Sequence, residues 1–366
     1  MKIGAAARRG AAAHADDTLP VLHELLSAGA GQHAEVAEGF SNQQPMALIS
    51  LQALGASGAQ LQAFATQYGT QVPPAPPPQD WPLGDAWAGR FGDMRAWLMY
   101  RSLFRQWLLH EGAADVLTQV LPQLMPGCSA AAFHGLIRTA QGVRAGHAGE
   151  IADGLAYWAA RWQSLGPVAA PARQTAPDLL TALRGARRAM GPVALPKQSV
   201  ITQPVTQPIT QPITQVMAAV AAQPGFGSAC ARVPRGADLP AAVAGLAAQL
   251  FVRHGDFAAL QLVIAARAVE RLRPFFDEAD ALFGAFAQTA VAGVLCTGLP
   301  LPADLGRDEA ELPPPPAWAA LLKRVRNSTD AHVIQLVDAC CEHGRALGGT
   351  VWRRAAARAL DTSSRA

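Results

Sequence analysis

The sequence predicts an all-α protein, an irregular multi-helix fold. Half of its 366 residues are apolar, alanine is the dominant type, and only 6% are aromatic. Alanine and leucine favour helix, whereas runs of Val, Ile, Thr and Tyr that would form strands are scarce. Apolar residues recur at helical spacing in segments joined by turns of varied length, which indicates helices that pack irregularly around a common core.

The N-terminal part of the chain consists of a tail at residues 1–18 and a helical half at residues 19–190. Pro45 suits the first turn of a helix, because its missing N–H would be unpaired there anyway. The stretch Val72–Gly84 contains six prolines in thirteen residues, which predicts a stiff, extended segment between helices. Helical patterns resume after it, with a break near Gly146–Gly149.

A four-residue repeat, ITQPVTQPITQPITQ, occupies Ile201–Gln215. Proline at every fourth position removes helix hydrogen bonds and disfavours helix in the residue before it. We therefore expect an extended or turn-rich connector over residues 191–218. It joins the first half to a C-terminal helical half at residues 219–362, and the two halves form one domain.

The C-terminal half also shows helical patterns interrupted by proline. The loop ELPPPPAW at Glu311–Trp318 separates the earlier helices from two closing ones. One closing helix is predicted in AWAALLKRVRN, and the other runs from Asp330 through TVWRRAAARALD.

Charge and hydropathy favour a soluble, cytoplasmic protein with neither nucleic acid nor membrane as a partner. The net charge is +3, from 30 basic and 27 acidic residues, which gives no field that would gather polyanions. The longest apolar stretch, Ala285–Pro300, is too short and too polar to span a bilayer. The five cysteines show no metal-ligand spacing and are expected to be buried free thiols in a reducing compartment.

Common catalytic and nucleotide-binding motifs are missing, but polar side chains occur within four apolar helical stretches. A lone His or Gln on such a face is usually a hydrogen-bonded core residue. Burying four polar clusters is nevertheless costly unless they satisfy one another or a ligand. The sequence therefore leaves two interpretations open: internally bonded core residues, or a polar-lined pocket within the helical core. The residues concerned are Asn42, Gln43, His134, Arg138, Gln141, Gln261, His332 and Gln335.

The same four stretches resemble motifs of the questin oxidase-like family. FSNQQPMAL is similar to the family's F/Y-S-N-H-x-P-M-A, and FHGLIRTAQGVRAG to its H-G-x-I-R-T-x-H-x-V-R. LQLVIAARAVERLRP and DAHVIQLVDAC resemble V-H-x-V-T-x-x-x-A-x-R-x-x-x-P and D-x-H-x-I-K-x-x-x-A-C. The resemblance, spread over residues 19–360, implies an all-α oxidoreductase, of monooxygenase or dioxygenase type, that uses oxygen on polycyclic aromatic polyketides such as anthraquinones.

The resemblance also implies a non-haem iron, held in some members by histidines and a modified lysine. This chain has Gln43, Gln141 and Gln261 where the family shows His, and Gln335 where it shows Lys. Glutamine is a poor iron ligand compared with imidazole, so we expect an iron site to be weakened or absent. Whether NADPH serves as a reductant stays open.

Two functions of different classes follow from the resemblance. The first is an oxidoreductase in which His134 or His332 is the base, and Arg138 stabilises a phenolate or peroxide. Asn42 and the glutamines would then orient the substrate. For Arg138 the alternative is an internal salt bridge. The second function is that of a catalytically inactive homologue that binds an aromatic ligand or a protein; a plain helical scaffold is the third possibility.

Overall fold

The computed structural model describes residues 18–36, 39–77, 84–191, 210–303 and 313–363. Within these ranges sixteen α-helices and short 3-10 turns surround a continuous apolar core, which confirms the all-α prediction. The only β-type pairings in the described ranges are two isolated bridges. The helices are α1 (18–28), α2 (Gln44–Ala53), α3 (Gly58–Gly69), α4 (Trp97–Glu111), α5 (Ala113–Leu124), α6 (His134–Ala145), α7 (Ala148–Arg161), α8 (Leu179–Met190), α9 (Thr210–Ala221), α10 (Phe226–Ala231), α11 (Leu239–His254), α12 (Phe257–Leu272), α13 (Ala279–Leu295), α14 (Trp318–Val325), α15 (Ala331–Leu347) and α16 (Val351–Ser363).

Helices α6 and α7 form a tightly packed hairpin at the centre of the fold. Glycines allow the two backbones to approach closely. A Cβ atom at Gly154 would lie 2.6 Å from the backbone nitrogen of Thr139, and one at Gly142 would lie 2.7 Å from that of Ile151. The predicted break after α6 is confirmed at Gly146, whose φ of 61° ends the helix.

Helix α12 packs against α6, and α15 packs against α2. Each begins at an aspartate, which is buried in the case of Asp256 and half-buried in the case of Asp330. Asp256 accepts from the backbone N–H of Ala259, and Asp330 accepts from those of His332 and Val333. These bonds satisfy amide groups that have no partner within the helix, a contribution of about 1 kcal/mol per cap. They also fix the first turn of α15, which carries His332.

The expected proline-rich connector falls only partly within the described chain. Residues 192–209 lie outside it. For Thr210–Gln215 the prediction of extended structure is wrong, because these residues form the first turns of α9, which also crosses the boundary expected at residue 218. Pro212 is the third residue of that helix, where its missing N–H needs no intrahelical partner.

The closing pattern from Asp330 onward is two helices rather than one. Gly348 and Gly349, with φ values of 71° and 83°, turn the chain between α15 and α16. All five cysteines are buried and free, as the sequence predicts.

Among the described helices, none combines the length and apolar character that crossing a bilayer requires.

Candidate functional site

His134, the first residue of α6, is buried and held at both ring nitrogens. It follows a turn in which three consecutive non-glycine residues, Ala131, Ala132 and Phe133, have φ values of 47°, 54° and 71°. Left-handed backbone of this kind costs about 1–3 kcal/mol per residue and is concentrated at functional sites. The turn places the carbonyl oxygen of Ala131 2.5 Å from Nδ1 of His134. Nδ1 must therefore donate, which makes Nε2 an acceptor.

The acceptor nitrogen of His134 receives a hydrogen bond from α12. The side-chain nitrogen of Gln261 lies 3.2 Å from Nε2 of His134, and both residues are fully buried. The other polar atom of this amide, Oε1 of Gln261, is buried and has no protein partner.

His332, in the first turn of α15, completes a three-helix meeting point. Its ring centroid is 5.8 Å from that of His134, and the ring packs edge-on against Phe257 at 5.0 Å. Its Nε2 is buried without a protein partner. An unpaired buried polar group costs about 1–3 kcal/mol. The nitrogen of His332 and the oxygen of Gln261 are thus two positions that a polar guest would satisfy.

Both imidazoles are neutral at pH 7. Burial lowers the pKa of His134 to about 4, an effect that its bond to Ala131 partly offsets. Burial, together with the neighbouring His134, lowers the pKa of His332 to about 3. A neutral imidazole keeps a lone pair that can accept a proton.

A second amide contact continues from His332 along α15. Gln335 lies one turn further on and donates from Nε2 to Oε1 of Gln43, at 2.9 Å, and to the carbonyl of Ala331, at 3.1 Å. The side-chain nitrogen of Gln43 donates in turn to the carbonyl of Ser41 at 3.3 Å. We use the term polar seam for the line of buried side chains formed by Gln43, Gln335, His332, His134 and Gln261.

Gln141 lies beside the polar seam and has its own partners. Its side-chain nitrogen donates to Oγ of Ser50 at 3.1 Å, and its oxygen accepts from Arg271 at 3.4 Å. Gln141 and Gln335 both line a cleft between α6, α12 and α15 with a volume of about 10 Å³. That volume is about the least that holds one water molecule, so the cleft has no room for an aromatic ring.

Arg138 and Asn42 are bonded outside the polar seam. Arg138 donates to Glu150 at 2.9 Å and to Asp153 at 3.4 Å, so it forms the internal salt bridge that the sequence left as the alternative. Burial opposes its charge, but the two carboxylates outweigh burial and hold the pKa of Arg138 above its ordinary value. Asn42 accepts from the backbone N–H of Gln44 at 3.0 Å and thereby shapes the entry to α2.

The side chains of this region do not fit a non-haem iron centre. Where a metal would need imidazole or anionic oxygen, Gln43, Gln141, Gln261 and Gln335 offer neutral carboxamides, which are weak donors. In all four, the side-chain nitrogen is hydrogen-bonded within the protein, which holds the amide in place. In the described ranges, no three His, Cys, Asp or Glu side chains cluster as a metal site would require.

The comparison with protein families gives a match over most of the chain. The family model described as questin oxidase-like covers residues 40–340. The chain belongs to the questin oxidase-like family. Membership supports an oxidoreductase-type function, and the matched range includes every residue of the polar seam. A comparison with curated proteins gives no match.

Sequence reasoning missed several residues that define the surroundings of this candidate site. Phe257 contacts His332, and Ser50 accepts from Gln141. An apolar residue or a serine in a helix gives no sign of such a partner. Glu150 and Asp153 were detectable in principle, because two carboxylates in the apolar helix α7 require a buried cation.

Proposed function

We propose that this protein is an oxidoreductase that acts with O2 on a polycyclic, anthraquinone-like phenol, and that it does so without a resident metal ion. The observation that carries the proposal is the buried pair of neutral imidazoles, His134 and His332, in which one nitrogen has no protein partner. Phenols of this class become able to pass electrons to oxygen once they are ionised. The protein then needs a base and surroundings that exclude water.

His332 is the base in this proposal. Its Nε2 has no protein partner, whereas both nitrogens of His134 are engaged. Burial and the neighbouring His134 disfavour the cation of His332, which lowers its pKa. A phenolate formed in the same step would pair with that cation and offset the cost of the charge.

His134 and Gln261 take positioning roles. The bond from Ala131 fixes the tautomer of His134, and Gln261 then presents its unpaired Oε1 to a hydroxyl group of the substrate. Arg138 has no part in the chemistry, because Glu150 and Asp153 hold its guanidinium.

The alternative is a catalytically inactive homologue that serves as an aromatic-ligand or protein-binding helical module. The hydrogen bond between the amides of Gln43 and Gln335 favours it. These residues occupy positions at which other family members are expected to carry stronger metal ligands. The two functions differ in whether oxygen is consumed.

Oxygen uptake tests the proposal directly. The purified full chain is mixed with the dihydroxyanthraquinone danthron and excess chelator, and O2 is followed with an electrode. We expect uptake in the wild type and a loss of about 10²- to 10⁴-fold in His332→Gln, as for removal of a general base. The matched control is His343→Gln, which changes another buried histidine of α15.

The outcomes separate the two functions. Equal rates of oxygen uptake in His332→Gln and His343→Gln would show that His332 is not the base. No uptake by the wild type, with danthron bound, would favour the inactive homologue.

A further inference from the structure

The spacing of His134 and His332 is not set by direct packing of the helices that carry them. Helices α2 and α12 each pack against both α6 and α15, whereas α6 and α15 have few backbone contacts with each other. The 5.8 Å between the two imidazole centroids therefore depends on links made through neighbouring helices and through side chains.

A group of ion pairs provides such links between α6, α12 and α15. Arg144 of α6 pairs with Asp338 of α15, and its Nη2 lies 3.1 Å from Oε1 of Glu342. From α12, Nε of Arg267 and Nη2 of Arg271 each lie 2.6 Å from Oε2 of Glu342. Glu342, on α15, is thus the acceptor for arginines of both other helices, and charge-assisted bonds of this kind are stronger than neutral ones.

The ion pairs extend to residues of the polar seam and beside it. Glu342 lines the small cleft that Gln141 and Gln335 also line. Arg271 donates to the side-chain oxygen of Gln141 at 3.4 Å in addition to its pair with Glu342. On α15, Gln335 precedes Glu342 by two turns, and His332 precedes it by about 15 Å of helix. Because a hydrogen-bonded helix of this length moves as a unit, a shift of α15 at Glu342 carries His332 with it.

Glu342 carries its negative charge at neutral pH. Burial opposes that charge, but the surrounding arginines outweigh burial and hold the pKa of Glu342 below its ordinary value. If the charge is removed, Arg144 keeps its pair with Asp338, but Arg271 loses the carboxylate with which it pairs. A largely buried cation without its partner is costly, so we expect α12 and α15 to move apart and admit water there.

We propose that Glu342 is a positioning residue: by pairing with arginines of α6 and α12, it fixes α15 against these helices and so sets the distance of His332 from His134. Glu342 acts through α15 and takes no part in the proton transfer itself. The inference deepens the proposed function and rests on it only for the consequence in catalysis, because the geometry is present without turnover.

The nuclear Overhauser effect between the ring protons of His134 and His332 tests the inference. It is measured at pH 7 on the full chain, with protonated histidines in a deuterated background. Glu342→Gln should lose most of this cross-peak, because its intensity falls with the sixth power of the distance between the protons. The matched control is Glu270→Gln, which should keep the cross-peak of the wild type, since the pair of Glu270 with Arg267 lies within α12.

This measurement separates positioning from stabilisation. Ion pairs that only stabilise the fold would, on removal, lower the melting temperature and leave the cross-peak of the folded protein unchanged. Arg144→Gln provides a second variant, because it breaks the ion pairs between α6 and α15 and keeps Glu342; it should also weaken the cross-peak. An unchanged cross-peak in Glu342→Gln, or in Arg144→Gln should Glu342→Gln not fold, would overturn the inference.

Failure of this inference is distinguishable from failure of the proposed function. In an active wild type, Glu342→Gln should slow oxygen uptake by up to about 10²-fold, the loss expected when a catalytic group is displaced by about 1 Å. Uptake by folded Glu342→Gln at the rate of Glu270→Gln would overturn the positioning role. A cross-peak lost only in Glu342→Gln and Arg144→Gln, with no oxygen uptake in the wild type, would support that role and leave the proposed chemistry without support.

Discussion

The side-chain amide of Gln261 donates to Nε2 of His134 across 3.2 Å, in a part of the core where both residues are fully buried. Because Nδ1 of His134 is bonded to the carbonyl of Ala131, this contact completes the bonding of that imidazole. Of the two adjacent histidines, His332 is thus the one with an open nitrogen. The two imidazoles therefore differ in bonding, since one is fixed at both nitrogens and the other can accept a further hydrogen bond.

The lowered pKa of His332 predicts a specific loss of stability in acid. The unfolded chain binds a proton at this residue below pH 6.5, whereas the folded protein does so only near pH 3. Stability is thus fully present above pH 6.5 and falls by about 1.4 kcal/mol per pH unit below it. His332→Gln cannot be protonated at this position. As the pH falls from 6.5 to 4, its free energy of unfolding should therefore rise relative to that of the wild type by about 1.4 kcal/mol per pH unit.

Urea unfolding at pH 7, 6 and 5 measures this difference. Asp256 and Asp330, whose pKa values burial raises to about 6, act in the opposite direction, but they are present in both proteins and their effect cancels to first order. A difference that stays constant with pH would show that His332 is not buried as a neutral group.

Arg138 should prove structural. Arg138→Met leaves the buried carboxylate of Glu150 without its cation, whereas Asp153 keeps its ion pair with Arg101. We expect this loss to cost about 3–5 kcal/mol of unfolding free energy. The control is Arg95→Met, because Arg95 pairs with Asp93 while 86% of its side chain is exposed; the loss of an ion pair so open to solvent should cost far less. If the two variants lost the same free energy of unfolding in denaturant and only Arg138→Met lost activity, Arg138 would instead take part in the reaction.

The fold could be predicted largely from composition and periodicity, since helix formation follows local residue preferences. The start of α9 is the exception. Proline at every fourth residue argues against helix only where a preceding turn exists, and Pro212 has none before it within α9. The apolar periodicity after Asp330 predicts one helix, but Gly348 and Gly349 end α15 there, before α16 begins.

The site could be predicted less well, because its residues are defined by tertiary partners. Helical spacing placed His134 and Arg138 on one face, but their side chains bond to different helices, α12 and α7. The strained turn before His134 is formed by alanines and a phenylalanine. Without glycine or asparagine at these positions, nothing in the sequence indicates left-handed backbone.

Close packing of α6 on α7 predicts a sharp contrast between two glycines. In Gly154→Ala the new Cβ would meet the backbone of Thr139 at 2.6 Å, so the helices must separate at a cost of about 1–3 kcal/mol or more. A Cβ atom at Gly185 of α8 would have no neighbour within 4 Å, so Gly185→Ala should stabilise by up to about 1 kcal/mol through helix propensity. Thermal unfolding distinguishes the two, and similar melting temperatures would contradict the close approach.

Metal uptake should depend on the four amides. Replacing Gln43, Gln141 and Gln261 with His, and Gln335 with Lys, supplies stronger donors along the polar seam and beside it. We expect the quadruple variant to bind Fe(II) and the wild type to bind no more than a trace. Elemental analysis after anaerobic loading measures both, with His343→Gln as a control for unspecific uptake. A quadruple variant that folds but takes up no iron would show that these positions do not converge on one point.

The proposed function requires His332 to provide the open nitrogen of a buried, neutral site. Nitrogen NMR of histidine-labelled protein at pH 7 reports the charge and the protonated nitrogen of each imidazole. We predict that His134 carries its proton on Nδ1, that His332 is uncharged, and that danthron shifts the Nε2 signal of His332 while that of His343 stays unchanged. A charged His332 in the free protein would show that its site is not neutral. A His332 signal that stays unchanged when danthron binds would show that His332 does not meet the ligand.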